Sequence, residues 1–96
     1  MIALHDFKNW IHTQTYRMLD VSEDISEKRI GDEKVMIITH ETKQYIGQIT
    51  VRNSGSITME ILSVHTEELV FYLYFKSDKM VDINLLFENY FSYLYD

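Results

Sequence analysis

The sequence contains no cysteine and no proline, and only three glycines among 96 residues. Without thiols there can be no disulfide framework, thiolate zinc site or cysteine nucleophile, a profile that suits the bacterial cytoplasm. Without proline, and with Gly31, Gly47 and Gly55 isolated from one another, neither a linker nor a glycine-rich phosphate loop is expected. Basic residues are also scarce: nine Lys and Arg stand against fifteen Asp and Glu, for a formal charge of −6. Because phosphate binding rests on clustered Lys and Arg, and these are scattered, nucleic acid is not an expected partner. Long apolar runs are missing too. The longest, residues 69 to 75, is well short of the ~20 residues that a membrane-spanning helix needs. At the N-terminus, Asp6, Lys8 and Asn9 interrupt the apolar start before a signal-peptide core could form.

What is present is the material of one hydrophobic core. A hydrophobic fraction of 46% with 14% aromatics excludes a disordered chain. The length then predicts a single domain spanning residues 1 to 96. So small a core would gain from homodimerisation.

Periodicity divides the chain into elements. Ala3, Phe7, Trp10, Ile11, Gln14 and Met18 recur at spacings of three and four, which predicts an amphipathic helix over residues 2 to 19. Residues 20 to 32 are polar, with only Val21, Ile25 and Ile30 as apolar anchors, and read as a long acidic loop. A first strand is expected around Val35, Ile37, Ile38 and Thr39, followed by a turn at residues 40 to 43. Strands follow over residues 44 to 52, 56 to 64 and 68 to 76, and a helix over 82 to 95 with Asp82 as its N-cap.

One turn fixes a register. If Val51 and Ile57 are to share the core face, the loop between them must hold an odd number of residues, which selects Asn53-Ser54-Gly55 with glycine at the left-handed position. Gly47 then faces Ile61 and leaves room for a bulky neighbour. Strands joined by short turns imply an antiparallel meander, since parallel neighbours need long crossovers. The predicted fold class is α+β: an N-terminal helix, a four-stranded antiparallel meander sheet and a C-terminal helix, both helices packed on one sheet face.

Groups that could carry chemistry are few. His5 and His12 lie two helical turns apart, too far to share a metal, while His40 and His65 fall in predicted turns where a solvated imidazole is ordinary. The adjacent carboxylates Glu23 and Asp24, Asp32 and Glu33, and Glu67 and Glu68 lack the apolar enclosure that would raise a pKa for acid catalysis. No catalytic residue, metal site or cofactor is therefore expected. Aromatic residues are more suggestive. Phe87, Tyr90 and Phe91 have helical core spacing, but Tyr72 and Tyr74 should stand on the opposite sheet face beside Thr50, Thr58, Glu60 and Leu62, a mixture typical of protein-binding surfaces. A homodimer contact or ordinary cross-strand pairing would account for the same tyrosines.

The stretch from Tyr45 to Glu68 resembles the central segment of the TriTu family of immunity proteins, encoded beside polymorphic toxins of bacteria. It carries the Gly-x-Ile-Thr-Val strand from Gly47 to Val51, the glycine-bearing turn at Gly55, and a strand leading to the Thr-x-Glu turn from Thr66 to Glu68. Arg52 departs from the aromatic residue expected there. The resemblance implies a protein that binds and neutralises a cognate toxin by occlusion. Its contacts would come from the acidic loop, with Asp20, Glu23, Asp24 and Glu27, or from the sheet face with Glu60, Tyr72 and Tyr74. The net acidity favours a basic toxin. A secretion chaperone or adaptor, also small, acidic and α+β, is the alternative; an enzyme stands third.

Overall fold

The computed structural model describes residues 8, 9, 11, 21–76 and 83–95. Its centre is a sheet of five antiparallel strands in the order β1-β2-β3-β4-β5, namely β1 (Ser22–Ile30), β2 (Glu33–Glu41), β3 (Tyr45–Arg52), β4 (Ser56–Ser63) and β5 (Leu69–Lys76). One helix, α1 (Ile83–Tyr95), closes the chain. Every strand pairs with its sequence neighbour, as short connections require.

The sheet therefore has one strand more than the sequence pattern indicates. The segment expected as an acidic loop is the edge strand β1, paired with β2 from Ser22 opposite Glu41 to Ile30 opposite Glu33. The two residues left between them, Gly31 and Asp32, make a tight hairpin in which Gly31 has φ 63°. A two-residue loop with a positive φ only at its first central position fits a type II′ turn, which glycine enters without steric cost. The strand escapes pattern recognition because Val21, Glu23 and Ile25 alternate inward, and the middle member of that set is a carboxylate.

A second correction concerns residues 40 to 43. β2 continues through His40 and Glu41, and the reversal falls on Thr42, Lys43 and Gln44. Thr42 organises it: its backbone N–H donates to the Tyr45 carbonyl at 2.9 Å, and its Oγ1 accepts from the Tyr45 N–H at 2.9 Å. His40 is thus a buried strand residue, not a solvated turn residue.

The β3–β4 register agrees with the sequence-based expectation pair for pair, from Val51 opposite Ile57 through Gly47 opposite Ile61. The turn residue Gly55 has φ 111°, and its N–H donates to the Arg52 carbonyl at 3.0 Å. On β5 the alternation is broken. A bulge between Ile61 opposite Phe71 and Leu62 opposite Leu69 leaves Val70 unpaired. Val70 and Phe71 both pack towards the core, while Leu69 is exposed, the reverse of the simple alternation in which Leu69 joins Phe71. His65 lies exposed in the β4–β5 turn, as expected.

The core lies on one face of the sheet. Met36, Ile38, Ile49, Val51, Ile57, Met59 and Ile61 supply its floor, and Phe87, Tyr90, Phe91 and Leu94 of α1 its roof. At about 1.5–3 kcal/mol for each fully buried large apolar side chain, those four helix positions are enough to hold α1 on the sheet. Of the helix expected over residues 2 to 19, only residues 8, 9 and 11 are described; they are helical, and Ile11 is wholly buried in the same core. The remainder of that element, and the proposed Asp82 cap, lie outside the described residues.

Candidate functional site

The opposite side of the sheet carries a patterned surface. Antiparallel register aligns side chains into rows that cross the strands. One row reads Asp24, Thr39, Gln48, Glu60 and Tyr72 from β1 to β5; the next reads Ser26, Ile37, Thr50, Thr58 and Tyr74. Tyr72 and Tyr74 are 57% and 56% exposed, far above what a tyrosine in a packed layer retains. Leu62 and Leu69, paired with each other, extend the apolar part of this face.

Charge divides the face. Asp24, Glu41 and Glu60 occupy one part, whereas Lys28, Arg52 and Lys76 lie towards the other end of the strands. At that basic end Arg52 Nη1 donates to Glu33 Oε2 at 3.0 Å. A hydrogen bond from Ser54 and then the Arg52 guanidinium hold the Glu33 carboxyl below its ordinary range. The exposed part of the face that keeps carboxylates beside aromatic rings is therefore the half containing Glu60 and Tyr72.

The acidic candidates of residues 20 to 27 do not share one face of the sheet. Glu23 and Asp24 are adjacent in an extended strand, so their side chains leave on opposite sides. Asp24 joins the open face and is exposed; Glu23 turns towards the core. Glu27 is exposed and shares Glu23's side of the strand, and Asp20 lies outside the described residues. Asp24, Glu60, Tyr72 and Tyr74 thus share one face, and Glu23 and Glu27 belong to the other side.

Glu23 has a different task, one that no local sequence pattern signals. Its Oε2 lies 2.8 Å from His40 Nε2, and His40 Nδ1 lies 2.8 Å from the Tyr90 hydroxyl. An ionised carboxylate can only accept, so Nε2–H donates to Glu23; with the imidazole neutral, Nδ1 accepts from the Tyr90 O–H. Three elements, β1, β2 and α1, are joined in this way. Gly47 makes the geometry possible: it lies opposite His40 in the register, and Tyr90 occupies the space where a side chain at 47 would be. The bulky neighbour expected beside Gly47 is this ring.

A carboxylate–imidazole–hydroxyl chain has the connectivity of a nucleophile triad, but two features set this one apart. His40 and Tyr90 have no solvent exposure, so no substrate reaches the hydroxyl. Burial, reinforced by the Glu23 charge, pushes the phenol pKa up, opposite to the activation that a nucleophile needs. The cluster is a polar staple in an apolar core, and it is fully satisfied: no buried side-chain N or O among the described residues lacks a partner. Nor, among the described residues, do three or more His, Asp or Glu side chains gather as metal ligands would. No helix among them is long and apolar enough to cross a membrane.

A family model described as Immunity protein TriTu matches residues 5–93. The match extends through the N-terminal segment, beyond the central strands whose motifs resemble the family. No curated protein shows a significant match to the chain.

Proposed function

The chain belongs to the TriTu family of immunity proteins, and from that membership we propose that it binds a cognate bacterial toxin and neutralises it by occlusion, through the open face of its sheet. The observation that supports this surface is the pair of half-exposed tyrosines, Tyr72 and Tyr74, standing in register with Glu60 and Thr58 on the side that α1 leaves bare. Tyrosine offers a large contact area with few rotamers to immobilise, and it is enriched among residues that dominate binding energy. Five strands at ~4.8 Å spacing and about eight residues in length give a sheet side on the order of 500 Å²; its corner at Val35 and Ser56 is buried, so the roughly 800 Å² per partner of a standard interface would draw on the tyrosine-bearing half together with its rim and loops.

Asp24, Glu41 and Glu60 give the tyrosine-bearing half of this face its acidic character, so the toxin surface that fits it is basic with an apolar centre. Neutralisation then requires only that the bound domain cover the toxin's working surface; no chemistry is asked of the immunity protein. It would act as a single domain in the cytoplasm of the cell that carries the toxin gene.

The test is co-expression with the toxin encoded by the neighbouring gene, followed by calorimetric titration of the purified pair. Wild type should protect the cell and form a complex. Tyr72→Ala with Tyr74→Ala should weaken binding by about two orders of magnitude, using roughly 1–2 kcal/mol per truncated hot-spot tyrosine. Lys43→Ala, in the β2–β3 turn, should leave it unchanged. Full affinity in the double tyrosine variant would move the interface elsewhere. Binding confined to a non-toxic segment, with no protection, would instead identify an export chaperone.

A further inference from the structure

The two edges of the sheet are built differently. β1 is guarded: charges stand at Glu23, Asp24, Glu27, Lys28 and Arg29, and Glu23 points inward onto His40. Charged side chains, inward-pointing ones in particular, are how sheets discourage pairing with a foreign strand. β5 has no such device. Residues 69 to 75 are seven consecutive aliphatic and aromatic residues at the other edge, and Lys76 is the only charge in the strand. Such a segment, uncharged and rich in strand-forming residues, is one that natural proteins cover.

We infer that β5 pairs with β5 of a second copy, antiparallel and centred on Tyr72, so that two five-stranded sheets become one. Charge selects both the partner and the register. β5 is preceded by the exposed acidic pair Glu67 and Glu68 and ends in the exposed Lys76, so an antiparallel copy brings acid against base at both ends. With Tyr72 opposite its twin, Phe71 meets Leu73. The bulge then places Leu69, 53% exposed and on the open side, against Tyr74 of the second copy, and Lys76 reaches the acidic pair. Centring on Leu73 would leave Lys76 beside Leu69 or Val70, and centring on Phe71 would carry it past the acids to His65 or Thr66. Only the Tyr72 register joins opposite charges, and it keeps like faces together: both helices fall on one side and both open faces on the other. The interface is isologous and closed, since each copy contributes the same edge once.

This dimer does not depend on the toxin-binding proposal, because the open faces stay uncovered and become continuous. It can be tested on the purified full chain without a partner. Sedimentation velocity over a concentration series should show a reversible monomer–dimer equilibrium. Glu67→Lys with Glu68→Lys sets lysines against Lys76 at both ends and should raise the dimer dissociation constant by about tenfold or more, given roughly 0.2–1 kcal/mol for each cross-strand charge pair. Adding Lys76→Glu to that variant should restore the wild-type constant. Because the chain has no cysteine, a single Tyr72→Cys gives a unique thiol, and a short bis-maleimide should join two copies across the axis. Gln48→Cys, on the middle strand of the same face, should not be joined. A monomer at every concentration, a charge-swapped variant that is not restored, or cross-linking through position 48 as readily as 72 would each overturn the edge-paired dimer.

Discussion

Replacing Gly47 with alanine should test how the core is organised, because its cost is set by a single oxygen atom. A Cβ at position 47 would fall on the Tyr90 hydroxyl oxygen, well inside van der Waals contact, and would lie 3.0 Å from Tyr90 Cζ and 3.2 Å from Leu94 Cδ2. Tyr90 has no room to retreat: it is fully buried, and its hydroxyl is held by His40 at 2.8 Å. Overpacking of this kind costs about 1–3 kcal/mol. Displacing the phenol also strands His40 Nδ1 in the core, at about 1–3 kcal/mol more. The conformational gain of alanine over glycine returns about 0.5–1 kcal/mol. The net expectation is a loss of about 1–5 kcal/mol, a large share of the ~5–15 kcal/mol typical of a domain. Tyr90→Phe alone keeps the ring but removes the donor to Nδ1, and should cost about 1–3 kcal/mol. In that background Gly47→Ala meets ring carbon and a leucine methyl that can yield by a few tenths of an ångström, so its further cost should fall to about 1 kcal/mol. Urea denaturation followed by circular dichroism would measure all four corners of the cycle, and thermal melts of the same variants should shift by about 4–8 °C per kcal/mol. Should Gly47→Ala prove unfolded by itself, recovery of a cooperative transition in the Tyr90→Phe background carries the same information. Strict additivity, within about 0.5 kcal/mol, would refute the account in which the phenol imposes glycine at this position.

Three further outcomes follow from the same geometry. Glu23→Ala should destabilise the fold by about 1–3 kcal/mol while leaving toxin affinity intact, since the carboxylate serves His40 and not the open face; calorimetry of the toxin complex beside thermal melts would separate the two, and lost affinity with unchanged stability would contradict it. In an alkaline absorbance titration, Tyr90 should ionise in a late phase, and that phase should vanish in Tyr90→Phe. A raised folded pKa means that the native state keeps a proton the unfolded chain gives up, so this group's stabilisation is complete below about pH 10 and declines above it. Glu33 works in the opposite sense: its folded pKa is lowered by Ser54 and Arg52, so its contribution is present above the ordinary glutamate pKa and lost as pH falls through the folded value. The melting difference between wild type and Glu33→Gln should accordingly be present at neutral pH and close as the pH falls below the ordinary glutamate range.

How much of this was legible in the sequence depends on whether an element announced itself by local pattern. β3 and β4 did, because Ile49 and Val51 alternate with polar residues, as do Ile57, Met59 and Ile61, and a glycine marks the turn, so the register could be derived from parity alone. α1 did for the same reason at helical spacing, and Phe87, Tyr90, Phe91 and Leu94 are all buried. The placement of Tyr72 and Tyr74 was legible as well, since alternation along β5 puts them on the side opposite the helix, where they are exposed. The bulge that swaps Leu69 and Val70 was not, because nothing in the residues 68 to 71 distinguishes a regular strand from a bulged one.

The strand β1 shows why the remainder was hidden. Pattern recognition asks which residues are apolar, and on that criterion Glu23 breaks the inward set of Val21 and Ile25 and turns a strand into a loop. The free energy of burial, however, depends on partners: a carboxylate that accepts from an imidazole is tolerated near a core that would reject it alone. Glu23 is admitted, with 12% of its side chain exposed, because His40 stands opposite it across the hairpin and Tyr90 completes the imidazole's hydrogen bonds from a helix fifty residues further on. One local signal was available. Gly31-Asp32 between two segments of strand-forming length is a hairpin sequence, and it would have predicted β1 had the turn been weighed above the charge. The same inward carboxylate that concealed the strand is what fits it to be an edge: it ties β1 to the fold from one side and makes it unattractive to a further strand on the other, leaving β5 as the edge on which pairing is favoured.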